Sequence, residues 1–162
     1  MKLIEETTCC FLGHREINAT EELKQQLYSV IEYLIKNKKV NTFLFGSKSQ
    51  FNDLCQKCVT KIKEKYPHIK RNYVRSELPQ IDENYKNYLL ESYEDTYYPQ
   101  AILHAGKAVY IKRNCEMVNK SSFCIVYYQE DYTPKSRKSG TKNALNYAIK
   151  KKKQIIILPL KI

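Results

Sequence analysis

The stretch Thr7-Thr8-Cys9-Cys10-Phe11-Leu12-Gly13-His14-Arg15 decides the fold. Thr7 to Leu12 is a short apolar run closed by Gly13, which reads as a strand with a glycine-broken exit. Immediately downstream, Leu23, Leu27, Val30, Ile31, Leu34 and Ile35 recur at the 3.6-residue period of an amphipathic helix, with Asn18 and Glu21 as its expected capping box. Thr42 to Phe45 repeats the first pattern and again ends at a glycine, Gly46. Phe51, Leu54, Cys55, Cys58, Val59 and Ile62 mark one face of a second helix, which Pro67 stops.

The rhythm continues less cleanly. Ile69 to Val74 reads as a third strand whose charges suggest a sheet edge, and Arg75 to His104 as an irregular, tyrosine-rich helical lobe. A helix is expected over about 105–120, then a continuously apolar strand from Phe123 to Tyr128 of the kind buried in parallel sheets. A polar loop, 129–139, leads to Gly140-Thr141, a helix with Ala144, Leu145, Ala148 and Ile149 on one face, and a last strand from Ile155 to Leu158. Short apolar strands alternating with helices imply an α/β fold, because parallel strands need crossover helices. The expectation is one domain over residues 1–162, a doubly wound, three-layer parallel sheet of about five strands in the order 3-2-1-4-5. Ligands in such sheets bind beyond the carboxyl ends of the strands, where the order reverses.

Composition agrees with a folded domain. Of 162 residues 43% are hydrophobic, only 4 are Gly and 5 are Pro, and Tyr alone supplies 14, which argues against disorder. Lys and Arg number 28 against 17 Asp and Glu, a formal charge of +11 that favours an anionic partner without choosing among nucleotide, nucleic acid and membrane surface. The apolar run Cys9–Leu12 is too short for a signal sequence or a membrane span, so a cytoplasmic protein with reduced thiols is expected. Cys55 and Cys58 lack a second cysteine or histidine pair, so neither a metal nor a cofactor is expected.

Candidate ligand-binding residues follow from the strand exits. Gly13-His14-Arg15 places donors on a tight turn, while Gly46-Ser47-Lys48-Ser49-Gln50-Phe51 feeds a helix N-terminus whose backbone N–H groups attract phosphate. Lys138-Ser139-Gly140-Thr141 opens another helix in the same way. Arg113-Asn114 lies in the helix before the fourth expected strand, where Arg113 is either a solvated helix residue or a bidentate phosphate clamp. His14 can be structural, a ligand donor or an acid/base group. Lys150 to Lys153 read first as a solvated helix end.

These residues carry a family resemblance. Cys10-Phe11-Leu12-Gly13-His14-Arg15, the Gly46–Phe51 loop with Asp53, Arg113-Asn114-Cys115-Glu116-Met117-Val118, and Ser139-Gly140-Thr141 resemble the YpsA-like branch of the SLOG superfamily. That superfamily also holds the DprA/Smf DNA-processing proteins and the LOG phosphoribohydrolases. The resemblance implies a Rossmann-like fold with a nucleotide or nucleotide-derived ligand in the cleft. Arg113, Glu116 and Met117 match the LOG pattern, but the position of its catalytic Glu holds Ala144. Cleaving an N-glycosidic bond calls for a carboxylate beside the developing oxocarbenium ion. The first expectation is therefore a module that senses or sequesters an ADP-ribose-like or other phosphorylated nucleoside. A LOG-like N-glycosidic hydrolase or transferase, with Arg113 and Glu116 as catalytic candidates, is the second. DprA-like single-stranded nucleic-acid binding, motivated by the charge, is the third. No membrane partner is expected, and a homo-oligomer stays open.

Overall fold

Cys9 to Leu12 alternate across a strand, so that Cys9 and Phe11 point into one apolar layer and Cys10 and Leu12 into another. Both faces must then be covered, and helices cover them. The computed structural model describes residues 6–46, 48–129 and 140–160. Its elements run β1 (Thr8–Gly13), α1 (Glu21–Lys38), β2 (Thr42–Phe45), α2 (Gln50–Lys65), β3 (Lys70–Val74), α3 (Glu83–Leu90), β4 (Asp95–Tyr97), α4 (Val109–Lys120), β5 (Phe123–Tyr127), α5 (Gly140–Lys150) and β6 (Gln154–Leu158). All pairings are parallel and the strand order is β4-β3-β2-β1-β5-β6. The fold is a Rossmann-like, doubly wound α/β sheet, with the reversal between β1 and β5.

On one face, Leu23, Leu27 and Ile31 of α1 and Phe51, Cys55, Val59 and Ile62 of α2 pack on Phe11, Phe43 and Phe45. On the other, Met117 and Val118 of α4 and Ala144, Leu145 and Ala148 of α5 pack on Cys10, Leu12, Leu44 and Val126. Fully burying one such Phe or Leu stabilises the fold by about 1.5–3 kcal/mol, which is why these apolar rows set the layers. Cys9, Cys10, Cys55 and Cys124 are buried free thiols that act as small apolar residues, and burial pushes the Cys55 thiol well above its usual value and that of Cys58 up to about 12.

Four expectations need correction. The sheet has six strands rather than five, because Asp95–Tyr97, inside the stretch expected to be irregular, pairs in parallel with Asn72–Val74. Consequently β3 is not the edge, and its charges have another cause. Arg71 holds Glu94 with a two-point contact, Nε to Oε1 at 3.1 Å and Nη2 to Oε2 at 2.7 Å, which fastens the segment leading into β4. The cap of α1 is Thr20, whose Oγ1 accepts from the Leu23 N–H at 3.0 Å, in place of Asn18. The helix before β5 starts at Val109, after short 3-10 turns at Gln100–Ile102 and Gly106–Ala108.

Candidate functional site

The carboxyl ends of the strands carry two groups of side chains, joined by the first turn of α2. The first group sits at the reversal. Gly13 ends β1 where a Cβ would lie 2.6 Å from Cβ of the buried Phe51, so this position admits no larger residue while α2 stays in place. The Phe51 ring lies 5.5 Å from that of Tyr127 of β5, tilted by 35°. His14 follows on β1, buried, with Nε2 accepting from the Gln129 N–H at 3.1 Å and its ring 5.4 Å from that of Tyr128. That hydrogen bond closes the β1 exit onto the β5 exit. Burial lowers the His14 pKa below its ordinary value, in keeping with an imidazole that accepts rather than donates at Nε2. Arg15 is exposed, and its carbonyl accepts from the Gln50 N–H at 2.8 Å.

The start of α2 is largely occupied by the protein itself. Gln50 N–H goes to Arg15, Asn52 N–H to Ser49 Oγ at 3.0 Å and Asp53 N–H to the Ser49 carbonyl at 3.1 Å. The Gln50 side chain accepts from the Ile17 N–H at 2.9 Å. A phosphate at this helix end would have to displace such bonds, so the turn serves as a brace between β1 and α2 more than as an anion cradle.

The second group lies at the exits of β2 and β3 and is where the buried charge is. Arg113, in the second turn of α4, is only 4% exposed. Its Nη1 donates to the Gly46 carbonyl and, at 3.0 Å, to Ser76 Oγ, and its Nε donates to Asn114 Oδ1 at 3.0 Å. The guanidinium carbon lies 6.0 Å from the Tyr110 ring centre. No carboxylate stands within ion-pair distance of it among the described residues. Burial accordingly lowers its pKa below the ordinary arginine value, though a guanidinium stays charged. Gly46 lets α4 come this close, since a Cβ there would lie 2.8 Å from both Arg113 Cδ and Met117 Sδ. The Gly46 N–H donates to Asn52 Oδ1 at 3.3 Å, which ties this group to α2 and so to the first group.

Arg75 and Ser76, at the exit of β3, belong to the site and were not among the sequence candidates. Arg75 is buried, and its guanidinium donates to the carbonyls of Leu78 and Pro79 and to Thr96 Oγ1 at 3.1–3.3 Å, fixing the loop that presents Ser76 to Arg113. Across the rim, exposed Lys48 pairs with Glu77 at 2.8 Å, bridging the β2 and β3 exits.

The remaining sequence candidates sit apart from this charge. Glu116, the catalytic candidate, lies three residues beyond Arg113 on α4 and is paired with Lys120 at 3.3 Å. Thr141 is buried and Gly140 exposed at the start of α5, while Ala144 is packed in the core beside Leu12 and Met117. Ser47, Lys138 and Ser139 lie outside the described residues. Among the described residues no group of three or more His, Cys, Asp or Glu is arranged to hold a metal ion, and no helix is long and apolar enough to cross a membrane. Comparison with models of known protein families and with characterised proteins finds no match to this chain.

Proposed function

We propose that the cleft at the carboxyl ends of β1, β2, β3 and β5 binds a phosphorylated, nucleotide-like small molecule and that the protein senses or sequesters it. The observation that carries this reading is Arg113: a guanidinium 4% exposed, held by neutral acceptors, with no carboxylate partner among the described residues. Taking such a charge out of water costs several kcal/mol, and an anionic ligand is the natural source of compensation. Its position agrees with the general site of ligands in doubly wound sheets. The resemblance to the SLOG superfamily, carried by Gly13-His14-Arg15 and Arg113 to Val118, points to the same ligand class.

Binding without turnover is favoured over N-glycosidic cleavage by the carboxylates. The LOG catalytic position is Ala144, buried in the core, and Glu116 is engaged by Lys120. Of the two positions matched to the LOG pattern, one therefore holds no carboxylate and the other holds one already paired with a lysine, which disfavours stabilisation of an oxocarbenium ion. A thermal-shift panel of ADP-ribose, nucleoside monophosphates and nucleoside diphosphates tests the reading, with chromatography of each mixture for released base. At least one member is expected to raise the melting temperature and to be recovered intact. A panel with no shift would defeat the proposal, and release of free base would replace it with the hydrolase reading.

A further inference from the structure

The opposite end of the molecule carries a second, different feature. Because all six strands are parallel, each connecting helix returns to the amino end of the sheet before the next strand begins, so the helix C-termini gather at one pole. Backbone hydrogen bonds knit that pole across the strands: Asn41 and Thr42 N–H to the Thr7 carbonyl, Lys70 N–H to Asn41, Ser122 N–H to Thr8 and Gln154 N–H to Ser122. The last turns of α1, α2, α4 and α5 each end in lysine. Contacts near these ends agree with the gathering: Lys65 at the end of α2 pairs with Glu32 in the later half of α1 at 3.0 Å, and Lys153 reaches the Asn119 carbonyl of α4 at 3.4 Å.

Most of this charge is uncompensated. Lys38, Lys39, Lys70, Lys150, Lys151 and Lys152 are exposed and make no ion pair among the described residues, whereas Glu32, Glu94 and Glu116, on the segments that lead to this end, are already held by Lys65, Arg71 and Lys120. Glu6 just before β1, Glu64 and the acidic corner at Glu91 and Asp95 remain, the corner lying beyond β3 at the β4 edge. Four helix C-termini contribute about half a negative charge each, near two in total, which six unpaired lysines outweigh. Two of those lysines also sit where glycine would be easier. Lys39 and Lys152 both have φ 59, the left-handed region that disfavours a residue with a Cβ and that glycine adopts freely at helix ends.

We infer that this lysine pole is a docking surface for the phosphate backbone of double-stranded nucleic acid, separate from the cleft. Charge complementarity chooses an anionic polymer, and the geometry chooses the duplex. From Lys70 at the start of β3 to Lys152 before β6 the patch crosses four strand intervals, about 19 Å, which matches five or six phosphates along one strand of a duplex. Lysines acting as point charges read backbone and not bases. Open stacking platforms for a single strand are few: Tyr88 and Tyr110 lie on α3 and in the first turn of α4, Tyr33 lies more than a turn short of the end of α1, and Tyr66, with His68 edge-on to it, and Tyr147 are half-buried with Lys65 and Lys151 over their rings.

The test is fluorescence anisotropy of a labelled mixed-sequence duplex of about 20 base pairs, titrated with the protein from about 50 to 200 mM salt. Saturable binding is expected at low salt, with log K falling against log salt at a slope of about −4 to −5 for roughly five neutralised phosphates. The combined Lys150→Glu, Lys151→Glu, Lys152→Glu variant, altered only at exposed positions, should bind at least about tenfold more weakly with a slope nearer −2. Lys39→Gly and Lys152→Gly should weaken binding while leaving the melting temperature equal or higher, since the backbone strain is relieved. No duplex binding at low salt would overturn the inference. So would tighter binding of the corresponding single strand, or binding to phosphatidylserine vesicles but not to the duplex. An Arg113→Met variant that lost duplex binding as fully as the triple variant would move the site to the cleft and equally overturn it.

Discussion

Gly46→Ala tests how closely α4 is seated on the β2 exit. The added Cβ would lie 2.8 Å from Arg113 Cδ and Met117 Sδ and 3.1 Å from Arg113 Nε. Carbon atoms at their best separation stand about 3.5–4.0 Å apart, so these neighbours must retreat by about 0.7 Å or more. Met117 is buried against Leu12 and Leu44, and Arg113 is held by Gly46, Ser76 and Asn114, which restricts both. Both are nevertheless long side chains, so the cost belongs in the ordinary overpacking range of about 1–3 kcal/mol. Alanine's lower entropy in the unfolded chain offsets part of that, about 0.4–1 kcal/mol. A net loss of about 1–2 kcal/mol corresponds to a melting temperature lower by about 2–8 °C in a chain of this size. Gly140→Ala is the control, since a Cβ there meets nothing within 4 Å and the variant should melt no lower than the parent. Melting curves followed by circular dichroism decide the matter. A Gly46→Ala protein that melts with the parent would refute the close approach of Arg113 to the β2 exit.

Further expectations concern the reversal point. Gly13→Ala should be more damaging than Gly46→Ala, by about 3 kcal/mol or more, because its Cβ meets the ring and backbone-proximal atoms of Phe51, which is fixed between α2 and Tyr127; equal melting temperatures for the two variants would contradict this. His14 gives a pH dependence whose sign is set by burial. Its folded-state pKa lies below the ordinary 6.5, so the contribution is complete above that value and is lost as pH falls through it toward the folded pKa. His14→Gln should therefore flatten the fall in melting temperature between about pH 7.5 and 5.5, and a fall as steep as the parent's would count against a neutral, accepting imidazole.

Much of the fold was legible because its signals are repeated. The apolar runs 7–12, 42–45 and 123–127, each buried on both faces, left no arrangement except a parallel sheet between helices. β4 was not legible, since three residues including Asp95 show no period, and its place is fixed by Arg71 gripping Glu94 twenty-three residues away. The site was legible where glycine marks a close approach, at Gly13 and Gly46. The inward aim of Arg113 had a signal in its spacing, being four residues before the buried Met117 on the same helix face. Arg75 and Ser76 were missed although they follow β3 as His14 follows β1; reading every strand exit alike would have found them. At the start of α2, the Ser49 cap of Asn52 is a local signal that sequence carries, whereas the bond from Gln50 N–H to the Arg15 carbonyl is a long-range backbone contact that leaves no trace in sequence.

The central claim is that Arg113 is a buried cation kept for an anionic ligand. Isothermal calorimetry of the parent and of Arg113→Met with ADP-ribose, and with whichever nucleotide shifts melting most, tests it most directly. Methionine fills similar space without the charge, so it loses hydrogen bonds to Gly46, Ser76 and Asn114 while removing a buried guanidinium that has no ion pair among the described residues, and the protein should stay folded. The account predicts saturable binding to the parent and a loss of about a hundredfold or more, near 3 kcal/mol, in the variant. Equal heats from parent and folded variant, or none from the parent with any of these ligands, would contradict it.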